Sequence, residues 1–143
     1  TTLGAGVSVS TSYKLGDTVI TGITPGTGAS SVLANISAGS GTVKVLKADG
    51  TENTGAVGTG NKIAVYANGT LVKQYDVVIY GDINGDGKIS VVDLVMMQKQ
   101  ILGTSQLSGA YAAAADISRD GKVSVKDLVL LQKHIINAAQ IEQ

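Results

Sequence analysis

The sequence predicts an α+β chain of two modules, a β-rich one over residues 1–81 with a single short helix and an all-α one over residues 82–143. Three observations predict this division. Before Tyr80 the apolar residues alternate with polar ones in short runs, the period of a half-buried strand. After Asp82 they recur at i, i+3 and i+7, the period of one helix face. The segment GDINGDGKISVVDLVMMQKQIL also returns 34 residues later as ADISRDGKVSVKDLVLLQKHII, a duplication of one supersecondary unit.

In chain order the strand runs are GVSVS with Val7 and Val9, TVKVL with Val43 and Val45, KIAVY with Ile63 and Val65, and YDVVIY from Tyr75 to Tyr80. Asp49-Gly50 and Asn68-Gly69 tolerate positive φ and predict tight hairpin turns. One segment departs from the strand pattern. After Pro25-Gly26-Thr27, the residues Val32, Leu33 and Ile36 fall at helical spacing with Thr27 or Ser30 as a cap, which predicts the short helix. Only Gly81 separates YDVVIY from Asp82, so the two modules are expected to sit semi-rigidly rather than on a flexible tether.

The composition excludes several classes of function. Eleven basic and eleven acidic residues give no net charge, hence no electrostatic footprint for nucleic acid or an anionic membrane surface. No cysteine is present, which removes disulfides, thiolate metal sites and a cysteine nucleophile. No apolar run approaches the ~20 residues needed to span a bilayer. The N-terminus carries no basic segment followed by an apolar run, and its abrupt opening at Thr1 is expected of a piece of a longer secreted protein.

The repeat carries the chemistry. Calcium takes six to eight oxygen ligands, which a twelve-residue EF-hand loop supplies from positions 1, 3, 5, 7 (a backbone carbonyl), 9 and 12, with glycine at 6. The first loop fits this pattern as Asp82, Asn84, Asp86, Gly87, Lys88 through its carbonyl, Ser90 and Asp93. The second fits as Asp116, Ser118, Asp120, Gly121, Lys122 through its carbonyl, Ser124 and Asp127. Ser118 stands where the first loop has asparagine, so weaker binding is expected there. Residues 82–143 hold seven acidic residues, and six are the aspartates at positions 1, 5 and 12, a sorting that a solvated acidic face would not produce. Three carboxylates around an empty loop repel one another, so two Ca2+ ions are expected to contribute to the folding of this module.

Each loop leads into a helix in the same frame. Leu94, Met97 and Ile101, and then Leu128, Leu131 and Ile135, predict a shared core, with Met96 and Met97 as filling. Gly103 suits a helix stop, and the alanine-rich stretch from Ser105 to Ala115 reads as a connecting helix. The first loop lacks the entering helix of a sensor-type EF-hand, since DVVIYG before it is strand-like, and both loops end in Asp rather than Glu.

With these departures, residues 82–137 resemble a dockerin, the calcium-binding duplicated loop–helix module of cellulosomes and related extracellular complexes. Residues 1–81, with TGITPGTGASSVLANI and GAVGTGNKIAVY ahead of GDINGDGK, resemble more loosely the X-modules, Ig-like β-rich sandwiches that precede some dockerins. The resemblance implies calcium-dependent docking to a cohesin on a scaffold or cell-surface protein of a polysaccharide-degrading complex. It also implies an extracellular setting and a chain that is monomeric when unbound. It places the partner surface on Val91, Val92, Val95, Gln98 and Lys99 in the first repeat, and on Val125, Lys126, Val129, Gln132 and Lys133 in the second. Two valines stand at loop positions 10 and 11 of the first repeat where many enzyme-borne dockerins carry hydroxyls, which predicts a more apolar contact. The alternative for Val91 and Val125 is burial against their own loops. Identical Gln-Lys pairs on both helices suggest docking through either one, and Val92 against Lys126 breaks that symmetry.

An enzyme is not expected. Asp17, Asp49, Glu52 and Asp76 are scattered among strands and turns, and His134, the one histidine, has no partner legible in the sequence for a triad. Carbohydrate binding is a second reading of the β-rich module, but it calls for exposed rings, and Tyr13, Tyr66, Tyr75 and Tyr80 stand where core or cross-strand pairs are expected. A third reading is a purely structural calcium module. The simplest role for residues 1–81 is to brace the calcium module.

Overall fold

The computed structural model describes residues 2–3, 7–9, 13–16, 18–39, 41–104, 106–137, 140–141 and 143. The N-terminal part comprises β1 (Thr2–Leu3), β2 (Val7–Val9), β3 (Lys14–Leu15), β4 (Val19–Thr21), α1 (Ala29–Ala34), β5 (Ile36–Ser37), β6 (Thr42–Leu46), β7 (Lys62–Ala67) and β8 (Thr70–Val77). The C-terminal part comprises α2 (Val91–Leu102), α3 (Gly109–Ala115) and α4 (Val125–Ile135). The chain is therefore a β-sheet region followed by a helical one, as the change of hydrophobic period predicts.

Strands β1, β2 and β5 form an antiparallel three-stranded sheet in that order. The other five form a sheet in the order β3-β4-β8-β7-β6, antiparallel throughout except for the parallel pair β4 and β8. Asn68-Gly69 joins β7 to β8 as a two-residue turn with φ of 53° and 78°, the paired positive values such a hairpin requires. Asp49-Gly50 turns the chain back so that Leu46 bridges Glu52, and Asp49 accepts the Thr51 N–H at 3.0 Å to hold the turn. The core packs Ile20, Val45, Ile63, Val65, Tyr75 and Val77 from the larger sheet against Val32 and Ala29 of α1 and Ile36 of β5.

Three boundaries differ from the sequence reading. Helix α1 is capped by Gly28, with neither Thr27 nor Ser30 capping it through a side chain, and it stops at Asn35, so that Ile36 enters β5 instead of the helix. Strand β8 ends at Val77 rather than Tyr80, because the Ile79 N–H is taken by the Thr59 hydroxyl at 3.0 Å and leaves the ladder. The connecting helix begins at Gly109 rather than Ser105. The Leu107 N–H turns to the Gln100 side chain at 2.7 Å, and Ser105 itself lies outside the described residues, as does Asp17.

In the helical part, Met97 and Leu131 are fully buried with Ile83, Ala115 and Ile117, and Leu94, Ile101, Leu128 and Ile135 pack against them. Equivalent positions of the two repeats share this core: Met97 and Leu131, Ile83 and Ile117. The duplication is thus a packing symmetry as well as a sequence one. Among the described residues no helix is long and apolar enough to cross a membrane.

Candidate metal centres

Each loop folds around its own carboxylates through backbone amides. In the first, Asp93 is fully buried; its Oδ1 accepts the N–H groups of Ile83 at 2.8 Å and Asn84 at 3.0 Å, and its Oδ2 accepts that of Ser90 at 2.9 Å. Asp127 repeats this with Ser118 N–H at 2.8 Å and Ser124 N–H at 2.9 Å. The position-12 aspartate therefore closes the loop and, from the first turn of α2 or α4, ties down the N-cap residue. Asp86 Oδ1 accepts Lys88 N–H at 2.9 Å and Asp120 Oδ1 accepts Lys122 N–H at 3.1 Å, Asx-type turns that bend the loop at its centre.

These bonds bring together Asp82, Asp86 and Asp93 in one cluster and Asp116, Asp120 and Asp127 in another, each with carboxylate oxygens within 4.8 Å of one another. Asn84 joins the first, its Oδ1 accepting Asp86 N–H at 3.2 Å; Ser118 joins the second, its Oγ 3.5 Å from Asp116 Oδ1. Ser90 and Ser124 stand at the N-caps of α2 and α4, and the Lys88 and Lys122 side chains are exposed. Among the described residues these are the two acidic groupings fit for a cation. Two of the carboxylates in the β-rich part are otherwise engaged: Asp76 pairs with Lys62 at 2.6 Å, and Asp49 holds its turn.

The first cluster holds a buried acceptor that its own loop leaves unmet. Asp82 is fully buried, and its Oδ1 has no hydrogen-bond partner. A buried, unpaired carboxylate oxygen costs several kcal/mol unless a proton or a cation meets it. Burial pushes the Asp82 carboxyl up to about 6, aided by the charges of Asp93 and Asp86 and opposed by N–H bonds from Thr59 and Gly87. Burial also raises Asp93, against the N–H bonds of Asn84, Ser90 and Ile83. The exposed Asp120 in the second loop moves the other way, held down first by its bond from Lys122 N–H.

This asymmetry sets a pH dependence. Because the metal-free fold raises the Asp82 pKa above its usual value, that fold binds more protons than the unfolded chain between about pH 4 and 6. The stability contributed by a protonated Asp82 is fully present below about pH 4 and is lost as the pH rises through about 6. In chelator, unfolding is expected to become easier by on the order of 2–3 kcal/mol between about pH 4 and 7.5 from this group, and Asp82→Asn should flatten the slope. Denaturant titrations at the two pH values check it; a slope that Asp82→Asn leaves unchanged would assign the effect elsewhere.

All ten residues proposed as partner-facing are exposed. Val91 and Val125 are each 59% exposed and Val95 and Val129 each 40%, so burial against their own loops is ruled out and the two faces are equally presented. Leu102 at the end of α2 and Ile136 just beyond α4 are also exposed and extend both apolar stripes, a continuation legible in the helical period from Val95. His134 is half-buried, and its Nδ1 accepts Ile141 N–H at 3.1 Å. Tyr75 is fully buried, and Tyr66 and Tyr80 each carry a cation on one face, Lys44 and Arg119 respectively.

One functional contribution had no signal in the sequence: Thr59 in the β-rich part donates its N–H to Asp82 Oδ2 at 3.0 Å. Thr59 lies in a glycine-rich turn that matches no ligand motif.

Residues 80–136 match the family described as Dockerin type I domain. No curated protein matches the chain. Two solved structures from Acetivibrio cellulolyticus are similar to it, both of the third cohesin of ScaC in complex with the ScaB dockerin and displaying a type I interaction. The one mutated in the dockerin's N-terminal helix is 25% identical, covers 46% of this chain and 92% of that one, and has a TM-score of 0.43. The one mutated in the C-terminal helix is 26% identical, covers 46% and 96%, and has a TM-score of 0.42.

Proposed function

We propose that this chain, whose residues 80–136 are a dockerin type I domain, is a calcium-dependent docking module that anchors its parent protein to a cohesin on a scaffold or cell-surface protein of an extracellular polysaccharide-degrading complex. The observation that carries the reading is the duplicated loop–helix unit, which pairs two clusters of three aspartates with two equally exposed apolar helix faces. No catalytic step is assigned to it.

In this reading the chain divides into a β-rich module over 1–81, an Ig-like sandwich of the X-module kind, and an all-α dockerin over 82–143. One Ca2+ is held by Asp82, Asn84, Asp86, the Lys88 carbonyl, Ser90 and Asp93, and a second by Asp116, Ser118, Asp120, the Lys122 carbonyl, Ser124 and Asp127. Bound calcium supplies positive charge that lets each set of carboxylates stay ionised at close range. The chain's own amides do the rest, turning each loop so that its helix leaves at a set angle and carries its apolar face outward. The surface that meets cohesin is Val91, Val92, Val95, Gln98 and Lys99 on α2, or Val125, Lys126, Val129, Gln132 and Lys133 on α4.

The test is to immobilise the chain, pass over it the secreted and surface proteins of its source cell in calcium, and elute with a chelator. A cohesin-bearing protein is expected in the chelator fraction. If calcium folds the module and nothing is retained, a purely structural calcium module is the better account.

A further inference from the structure

The two loops share a ligand pattern but not their surroundings. Gly121 of the second loop faces open space, with nothing within 4 Å of where a Cβ would stand. Its counterpart Gly87 is buried: a Cβ there would meet the Val57 carbonyl at 2.9 Å, and the Gly87 carbonyl itself accepts Gly26 N–H at 2.9 Å. A Cβ at Gly58 would collide with the Gly85 carbonyl oxygen. The β-rich module thus lies backbone-to-backbone on the first loop, at a distance only glycine permits.

The hydrogen bonds follow the same division. Asp116 is held within its own loop, by Gly121 N–H at 2.9 Å on Oδ2 and Asp120 N–H at 3.2 Å on Oδ1. Asp82 receives Gly87 N–H from its own loop and Thr59 N–H from the other module, both at 3.0 Å and both on Oδ2. Its Oδ1 is left buried and unpartnered among the acidic cluster. Thr59 is itself fixed: its hydroxyl accepts Ile79 N–H at 3.0 Å and donates to the Ile79 carbonyl at 3.1 Å. The turn carrying it is braced by Asn61, whose Oδ1 accepts the Asn53 side-chain amide at 2.7 Å and Gly58 N–H at 3.1 Å.

We infer that the first centre is a two-module site, in which the turn spanning residues 53–61 positions Asp82 for the cation, so that filling the first loop and seating the β-rich module on it are one coupled equilibrium. The second loop meets the β-rich module through Arg119 over the Tyr80 ring, but the amides on its carboxylates come from its own loop, and it binds its cation independently. The inference rests on reading both loops as calcium sites. By linkage, whatever the seated module adds to calcium affinity, calcium adds to seating by the same factor. Withdrawing calcium would then loosen the junction of the two modules as well as the loop.

Calcium itself is the probe, in the full chain. Asp120→Ala leaves only the first loop competent, and Asp86→Ala only the second; both replaced side chains are exposed. Adding Gly58→Ala is expected to weaken calcium at the first loop about tenfold or more, the scale on which partners of metal ligands act. The second loop should change by less than about twofold, as for a site sharing no partner. Gly16→Ala, outside that turn, is the control, since a Cβ there makes only an ordinary 3.4 Å contact. Calorimetry reads the affinities. Amide exchange supplies a measurement without a glycine substitution: Thr59 and Gly26 N–H should gain protection when calcium fills the first loop in Asp120→Ala, and not when it fills the second in Asp86→Ala. Unchanged first-loop affinity in a folded Gly58→Ala chain, or protection indifferent to which loop is filled, overturns the inference. If Asp120→Ala takes up no calcium at all, the calcium reading of the first loop fails, and the coupling falls with it.

Discussion

Replacing Asp93 and Asp127 together with alanine abolishes the calcium-induced folding of the helical module and, with it, docking. This is the largest effect expected of any change in the chain, because each side chain does two things. Each contributes a carboxylate to its cluster. Each also accepts backbone N–H groups from both ends of its loop: Ile83, Asn84 and Ser90 in the first repeat, Ser118 and Ser124 in the second. An N–H group left buried without a partner costs about 1–3 kcal/mol. Only the Ile83 N–H is fully buried and the other four are partly so, and together with the lost carboxylates they remove a large share of the ~5–15 kcal/mol that holds a whole domain folded. A calcium titration followed by helical circular dichroism checks this: the wild type gains signal and the double variant does not. A variant that still folds on adding calcium would show that the position-12 carboxylates are dispensable.

Placing aspartate at both Val91 and Val125 has the opposite signature, with folding and calcium binding kept and docking lost. Both positions are 59% exposed at the first turn of their helices, where a negative charge meets the favourable end of the helix dipole. The folded chain should therefore change by no more than ~0.5 kcal/mol. Against a partner, the same charge is buried without a counter-ion, at a cost of roughly 2–5 kcal/mol, which corresponds to a loss of about thirtyfold or more in affinity. The single variants separate one docking mode from two. If either helix can present its face, Val91→Asp alone and Val125→Asp alone each leave most of the binding, measured by surface capture of the cohesin-bearing partner. If one of them alone abolishes capture, docking runs through that helix only, and retained capture in the double variant moves the docking face elsewhere.

The pattern of the helical half is local, which is why so much of it could be read directly. A calcium loop gathers its ligands from twelve consecutive residues, so the aspartates at positions 1, 5 and 12 are adjacent in the fold because they are close in the chain. The apolar residues of α2 and α4 repeat at the helical period, and the same period leaves Val91, Val95, Val125 and Val129 on the outside. The Asn68-Gly69 hairpin belongs to this class as well, since two residues with positive φ make their turn without help from elsewhere.

The duplication, the two aspartate clusters, the buried and exposed faces of their helices and the β-rich character of the residues ahead of them are therefore all matters of chain-local pattern. The strand order emerged only in the folded chain, with β4 running parallel to β8 and strands of two or three residues that are too short to carry a period. Tertiary packing also fixed where α1 and β8 end, because the Ile79 N–H goes to a hydroxyl twenty residues away in the chain. And it alone set the two loops apart, burying Gly87 and Asp82 under the turn that carries Thr59 and leaving Gly121 open. The reason is physical: ligand spacing and amphipathic period are properties of neighbours along the chain, whereas the packing of one backbone on another depends on residues whose proximity exists only once the chain has folded.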